Sequence, residues 1–292
     1  MAHQILLYYK YVKIKKPEEV VLWQKSLCEE FNLKGRIIVA EEGINGTVEG
    51  TIEDTEKYIA ETTKDPRFID INFKKSGGTG NAFPKLSVKA RKEIVSGHLK
   101  NEDLNPNELT GKYLSADELH QLYENDEEFF VIDMRNDYEY KSGHFKNSIL
   151  PLLSNFRDLP KIVSEIENLK NKKIVTVCTG GVRCEKASGY LIKQGFKDVS
   201  QLKDGIVTYM EKFPNQYFKG KLYVFDQRVL MGFDTDSPEH EIVGKCFRCQ
   251  SQSENYINCA NNQCHKHIIC CSECIEKNGA FCQDDCAVSL KK

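Results

Sequence analysis

The segment Cys178–Ser188, which reads CTGGVRCEKAS, constrains this chain more than any other stretch. Ahead of it, Lys173-Ile-Val-Thr-Val-Cys178 is a β-branched run of the kind that forms a buried parallel strand, and behind it the pattern turns helical. Strand, short glycine-containing loop and helix together imply a parallel α/β layer with its site at the strand C-termini. Cys178 stands at such an end. The loop's unpaired N–H groups, the dipole of the following helix and the Arg183 guanidinium all favour a thiolate there, so the pattern predicts a nucleophile active near neutral pH. A lone cysteine at a strand end is ordinarily a core residue; Gly180, Gly181 and Arg183 decide for the functional reading.

The surroundings agree with an α/β unit. Ser115 is placed to cap a helix over Ala116–Tyr123, with Glu118 completing a capping box. Phe129–Asp133 and Asn171–Val177 read as buried strands and Cys184–Gln194 as the helix after the loop. The first hundred residues follow another rhythm. Gln4–Val12 reads as a strand, Pro17–Phe31 as a helix, and Arg36–Ala40 and Ile44–Val48 as strands around Glu41-Glu42-Gly43. Thr51–Thr63 is a second helix, and the alternating Phe68–Phe73 a fourth strand. The order βαββαβ is that of a ferredoxin-like or acylphosphatase-like α+β unit, a fold that hosts many functions. Ser76–Asn81 reads as flexible punctuation, Phe83–Val95 as a basic strand-like arm and Asn101–Gly111 as a linker. The expected division is therefore 1–100, 112–218 and 219–292.

Charge and cysteine placement narrow the functional classes. The formal net charge is −2, which excludes a general polycation. Yet Lys10, Lys13, Lys15 and Lys16 stand without an acid among residues 1–16. Lys74, Lys75, Lys85, Lys89, Arg91, Lys92 and Lys100 face only Glu93 in 71–100, whereas 101–130 is acidic, with Glu102, Asp103, Asp126, Glu127 and Glu128. A basic N-terminal face is the footprint of a polyanion partner, with an ordinary solvated surface as the alternative. The sequence shows neither an apolar run of about 18 residues nor a signal-peptide layout, so a soluble cytoplasmic protein with no membrane partner is expected.

Nine of the 12 cysteines lie between Cys246 and Cys286, and only Cys28, Cys178 and Cys184 precede them. They fall as Cys246-x2-Cys249, Cys259-x4-Cys264, Cys271-x2-Cys274 and Cys282-x3-Cys286, with Cys270, His265 and His267 between. Those eight paired thiols match the ligand count of two tetrahedral zinc ions, and a short segment without an apolar core needs such staples. Cross-bracing would join the first pair to the third and the second to the fourth. A sequential arrangement and disulfides are the alternatives.

Two resemblances sharpen this reading. Val131-Ile-Asp-Met-Arg-Asn-Asp-Tyr-Glu-Tyr140, Gly143-His-Phe-Lys-Asn-Ser148, Pro151 and the CTGGVR loop together resemble a rhodanese domain. That resemblance implies that Cys178 forms a persulfide and that Thr179, Gly180, Gly181, Val182 and Arg183 cradle an anion. Asp133 and Arg135 would fix the sheet edge and loop by hydrogen bonds, and His144 would orient a turn. The spacing from Cys178 to Arg183 is C-x4-R, tighter than the C-x5-R loop of cysteine phosphatases, and it suits a terminal sulfur better than a phosphate. Cys184, directly after the arginine, departs from the commonest rhodaneses. It is read as core-facing rather than as a resolving thiol, because adjacency does not guarantee bridging geometry.

The second resemblance covers nearly the whole chain. Lys34–Val48, Phe83–Lys89, the CTGGVRCEKAS loop, Tyr223–Arg228 and the cysteine knuckles resemble the oxygen-dependent tRNA uridine(34) hydroxylases. The resemblance implies 5-hydroxylation of the wobble uridine, with molecular oxygen as co-substrate, an electron donor, and an N-terminal domain that holds the tRNA anticodon stem-loop. Lys85, Lys89, Arg91 and Lys92 are then the expected phosphate contacts, since anticodon-loop bases are unstacked and can be splayed into a pocket. Cys178 has two routes: its thiolate adds to uracil C6 and activates C5, or an oxidised or persulfidated Cys178 relays the oxidant. The sequence carries no flavin or nicotinamide fingerprint. The competing activity is rhodanese-type transfer of sulfane sulfur through a Cys178 persulfide, while a non-catalytic adaptor conflicts with the intact loop.

Overall fold

Hydrophobic alternation in the first hundred residues builds the N-terminal sheet, seen here in a computed structural model that describes residues 1–97, 99, 104–261, 263–264 and 266–288. Lys100, Glu102, Asp103 and His265, which enter the expectations above, lie outside the described residues. The elements are β1 (His3–Tyr11), α1 (Pro17–Glu30), β2 (Lys34–Ala40), β3 (Gly43–Thr51), α2 (Ile52–Thr62), β4 (Lys74–Gly78) and β5 (Leu86–Ala90). Pro17 opens α1, and the Thr51 hydroxyl caps α2 by accepting from the Asp54 amide at 3.1 Å. The strand order is β4-β1-β3-β2-β5, antiparallel except that β5 runs parallel to β2.

Two expectations are corrected. Phe68–Phe73 is not the fourth strand: Phe68 and Ile71 drop from a turn into the core beneath the helices, and Lys74–Gly78 pairs with β1 instead. Ser76–Gly78, expected as punctuation, is thus strand. Nor is Phe83–Val95 a free arm, because Leu86–Ala90 within it is an edge strand of the sheet. Backbone pairing along a partner strand overrides the weak propensity of KKSGG.

Alternation gives the sheet two faces. Leu6, Tyr8, Ile37, Val39, Ile44 and Val48 pack beneath α1 and α2. Leu7, Tyr9, Asn45, Thr47, Arg36 and Ile38 point to the other side, and the register sets Lys74, Leu7, Thr47, Arg36 and Ser87 in one row across it. No helix of this domain covers that face. The next domain does.

That domain comprises β6 (Lys112–Leu114), α3 (Ala116–Glu124), β7 (Phe130–Asp133), α4 (Asp137–Tyr140), β8 (Gly143–Phe145), α5 (Leu159–Glu165), β9 (Lys173–Val177), α6 (Val182–Lys193), β10 (Asp198–Leu202), α7 (Gly205–Lys212) and β11 (Phe218–Gly220). The predicted Ser115–Glu118 capping box is present. A four-stranded parallel sheet runs β6-β10-β9-β7. Ile132, Ile174 and Leu191 fill the core on one side and Val131, Val175, Val177 and Ile206 the core on the other, as a sheet buried on both faces requires. β11 pairs antiparallel with β8 and leads into the tail: β12 (Leu222–Tyr223), β13 (Leu230–Met231), β14 (Tyr256–Asn258), β15 (His267–Ile269), α8 (Ser272–Asn278) and α9 (Asp284–Val288). Among the described residues no helix is long and apolar enough to cross a membrane.

Candidate active site at the domain interface

Cys178 follows β9 directly, and its loop is anchored from outside. The Ile206 and Val207 amides at the start of α7 donate to the carbonyls of Cys178 (2.9 Å) and Thr179 (3.1 Å). Gly205, at φ +78°, permits this approach, because a Cβ there would lie 2.6 Å from the Thr179 carbonyl oxygen. Cys178 is 1% exposed. Burial opposes ionisation of its thiol most strongly. Against it act the Cys184 thiol as a hydrogen-bond donor, the Arg183 charge and the backbone N–H groups of Cys184 and Arg183, which together bring the Cys178 pKa down to about 6. Cys184, fully buried, keeps its own proton, its pKa pushed up by burial and by Cys178. Cys184 therefore faces the core as read, and it also hydrogen-bonds to Cys178.

Arg183 is not free to hold an anion. Its guanidinium grips buried Glu139 through both carboxylate oxygens, at 2.5 and 2.9 Å, and sits 3.4 Å from the Thr179 hydroxyl. It acts on Cys178 through its field. Asp133 and Arg135, both fully buried, form a bidentate pair, and Arg135 also donates to the Gly143 carbonyl at 2.7 Å and the Glu139 carbonyl at 3.4 Å. That frame places α4, which carries Glu139. Sequence reasoning missed Glu139, although Asn136-x-x-Glu139 has capping spacing and the Asn136 amide indeed donates to Glu139 at 2.8 Å. His144 bonds the Tyr140 carbonyl at 3.1 Å and does not line the pocket over Cys178.

The N-terminal sheet roofs the loop. A Cβ on Gly180 would come within 3.0 Å of Leu7, and one on Gly181, at φ +101°, within 2.8 Å of the Tyr9 hydroxyl. Tyr11 donates to the Val182 carbonyl at 3.1 Å and Tyr9 to Glu185 at 2.9 Å, while Lys186 reaches Glu42 at 2.8 Å and Glu93 at 3.2 Å. Lys74 pairs with Asp204 at 3.4 Å, burial lowering its ammonium pKa. Between roof and loop lies a cavity of about 320 Å³ lined by Cys178, Thr179, Gly180, Val182 and Arg183 from below. Leu7, Asn45, Thr47 and Phe83 line it from above, Phe156 and Phe225 from the side. Nothing in the alternation of β1 announces that its outward residues are roof rather than surface.

Known proteins show the same three parts. Residues 3–94 match the UPF0176 acylphosphatase-like domain, 115–212 the rhodanese-like domain and 219–287 the rhodanase C-terminal family. The tRNA uridine(34) hydroxylase of Bacillus licheniformis is 46% identical over 289 residues, 98% of this chain and 88% of that one. That of Staphylococcus carnosus is 46% identical over 291 residues, 94% and 90% of the two chains. This chain belongs to the tRNA uridine(34) hydroxylase family. Among solved structures, the rhodanese-like domain of an Anabaena protein matches 43% of this chain and 89% of its own, with 22% identity and a TM-score of 0.33.

In this member of the family the tail cysteines gather as two sets. Cys246, Cys249, Cys271 and Cys274 form one and Cys259, Cys264, Cys282 and Cys286 the other, with sulfurs within 4.8 Å of one another in each. The pairing is cross-braced, and all 12 cysteines are free thiols. Cys249–Cys271 at 3.6 Å, Cys264–Cys282 at 3.5 Å and Cys282–Cys286 at 3.5 Å approach the edge of about 3.8 Å that a tetrahedron with Zn–S near 2.3 Å requires. Cys270 and His267 belong to neither set. Lys85, Lys89, Arg91 and Lys92 are exposed and none lines the cavity. Lys89, opposite Ile38, lies on the same face of the sheet as Arg36, Lys85 just precedes β5, and Arg91 and Lys92 lie beyond its end.

Proposed function

We propose that this chain hydroxylates C5 of uridine 34 in tRNA, with Cys178 as the nucleophile. The observation that carries the reading is a buried cysteine with a lowered pKa facing a cavity closed by both domains. Its volume, about 320 Å³, is at the small end of ligand clefts, and its walls are largely apolar with a few polar groups such as Asn45 and Thr47. A single extruded pyrimidine reaches Cys178 there, and a stacked, paired base does not.

The Cys178 thiolate adds to uracil C6, and the ring electrons move to C5 and O4. C5 then takes one oxygen atom, loses its proton, and expels the thiolate to restore the ring. Replacing C5–H by C5–OH is a two-electron oxidation. With molecular oxygen as co-substrate, the second oxygen atom leaves as water and consumes two electrons and two protons from an external donor. The Cys184 thiol and Arg183, the latter held by Glu139, keep Cys178 ionised between turnovers, and the roof excludes water from the adduct. Asp133 and Arg135 support the loop. Lys85, Lys89, Arg91 and Lys92, exposed in and around the edge strand β5, guide the anticodon stem-loop. The two sets of tail cysteines hold structural zinc, and the enzyme works with its tRNA in the cytoplasm.

Nucleoside mass spectrometry tests this. Full-length protein expressed in a strain lacking wobble-uridine hydroxylation should restore 5-hydroxyuridine derivatives. Restoration of a thiolated base instead would transfer the reading to a sulfurtransferase with a Cys178 persulfide.

A further inference from the structure

The cations around the catalytic loop sort into two kinds. Those buried in the loop's frame or at the interface are neutralised: Arg135 by Asp133, Arg183 by Glu139, Lys186 by Glu42 and Glu93, Lys74 by Asp204 and Arg228 by Asp226. Two arginines lining the cavity have no salt bridge. Arg36, on the face of β2 turned away from the helices, and Arg157, in the turn before α5, are both exposed, and neither makes a salt bridge or side-chain hydrogen bond with another described residue, although the Arg157 charge acts on the adjacent Asp158 carboxylate. One comes from each domain. A protein that pairs its interface cations this thoroughly leaves these two for an external anion.

Phe225 adds a second chemistry at the same mouth. It lines the cavity, yet its side chain is 48% exposed, whereas Phe83 and Phe156 in the same wall are 6% and 5% exposed. Tyr223, 5.3 Å away and edge-on, supports its ring. An exposed aromatic ring that lines the same cavity as two guanidiniums without salt bridges is a set of groups suited to single-stranded nucleic acid, with a base on the ring and phosphates on the arginines.

Resting on the hydroxylase reading, we infer that Arg36 and Arg157 grip the phosphodiesters on the two sides of the extruded nucleotide while Phe225 stacks on a base at the cavity mouth. This site is distinct from the outlying basic residues in and around β5. It makes each domain contribute one phosphate contact, so the interface itself recognises a strand of RNA that bends into the cavity.

The test is fluorescence anisotropy of the full chain with a labelled anticodon stem-loop RNA at several salt concentrations. Arg36→Gln and Arg157→Gln should each weaken binding about tenfold, and each should reduce the log–log salt slope by about one. Phe225→Ala should weaken binding with the slope unchanged, and Phe225→Trp should restore it. Lys25→Gln, on the helix-covered side, serves as the charge-matched control and should change neither. Uridine 5′-monophosphate offers only one of the two phosphates and should compete weakly; competition equal to that of the stem-loop would overturn the RNA assignment in favour of a free nucleotide. Wild-type affinity and slope in the Arg36→Gln/Arg157→Gln double variant, with its melting temperature unchanged, would overturn the mouth as a phosphate site. If wild type leaves uridine 34 unmodified while the arginine variants lose slope, the mouth stands as an RNA site and the hydroxylase reading fails instead.

Discussion

Two regions of this molecule make thiolates, and they do so for opposite ends. In the loop after β9 a single thiol is brought down to about 6 by the neighbouring Cys184 thiol, by Arg183 and by two backbone amides, all against the cost of burial. In the tail, burial likewise opposes ionisation, but backbone amides pull Cys246 down to about 6 and Cys259 to about 7. There the neighbours respond differently: burial and the adjacent thiols push Cys274 up to about 12, and Cys282 together with burial pushes Cys286 to about 12. Four sulfurs packed so closely cannot all ionise without a cation among them. The difference teaches that density decides the role. One thiolate with fixed positive partners and a cavity above it suits the proposed nucleophile, whereas four converging thiols make a set that could hold a metal ion.

The hardest blow to the comparison is removal of the lone thiolate. Cys178→Ser should lower uridine 34 hydroxylation by at least about a thousandfold, because a serine hydroxyl is not ionised near neutral pH. The fold should survive, as the exchange is nearly isosteric, and an unchanged melting curve beside absent 5-hydroxyuridine is the expected result. Full activity in this variant would remove Cys178 from the chemistry.

Stripping the tail attacks the other side. Reductively purified protein should contain about two zinc ions per chain. A strong chelator should then make the tail thiols reactive to a thiol reagent, since binding energy in such a module is folding energy. The interface is held by ion pairs such as Lys186 with Glu42 and Glu93, and the Arg183–Glu139 pair beside Cys178 likewise needs no metal, so the Cys178 alkylation midpoint should remain near 6. A midpoint that moves with the metal would show that the two regions are coupled, and Tyr256, which donates to the Tyr138 carbonyl at 2.5 Å beside Glu139, would be the path.

Sequence made the loop and the two cysteine sets legible because both are local patterns: a β-branched run ending in Cys178, and knuckle spacings a few residues long. What it hid is long-range. Glu139 meets Arg183 across 44 positions, and Tyr9 meets Glu185 across 176. Phe68–Phe73 alternates as a strand should, yet Phe68 and Ile71 are needed as plugs beneath α1 and α2, and a lysine- and glycine-rich segment forms the edge in their place. Such segments blunt an exposed sheet edge, which their composition alone does not reveal as a strand. The roof over Cys178 was invisible for the same reason, since Leu7 and Tyr9 obey the alternation of any half-exposed strand.

A smaller effect follows from the fixed charge. Arg183→Gln removes the cation and leaves Glu139 ionised and buried, which should cost about 3–5 kcal/mol of stability. The Cys178 pKa should rise by roughly one to three units, because an attractive charge is lost and a repulsive one uncovered. The sign is definite. The folded value lies below that of a free thiol, so ionisation favours the folded state above the free value, and this contribution is lost as pH falls through about 6. Raising the folded value narrows that window and slows alkylation at pH 7. Adding Glu139→Gln should recover most of the stability and only part of the pKa, which separates the packing role of the pair from its field.

The smallest change tests whether the loop contains one working thiol or two. Cys184→Ala removes the S–H donor to Cys178 without exposing any opposing charge, so the midpoint should rise less than in Arg183→Gln, and hydroxylation at pH 7 should fall a few-fold. Cys184→Ser keeps a donor in nearly the same place and should lie closer to wild type. Both variants should retain the pH dependence of a single ionisation, with activity recovering as pH is raised past the new midpoint. A resolving thiol behaves otherwise. If Cys184 must form a disulfide with Cys178 in every turnover, serine and alanine will be equally inactive at every pH, and loss as complete as in Cys178→Ser would replace the lone nucleophile by a two-cysteine redox cycle.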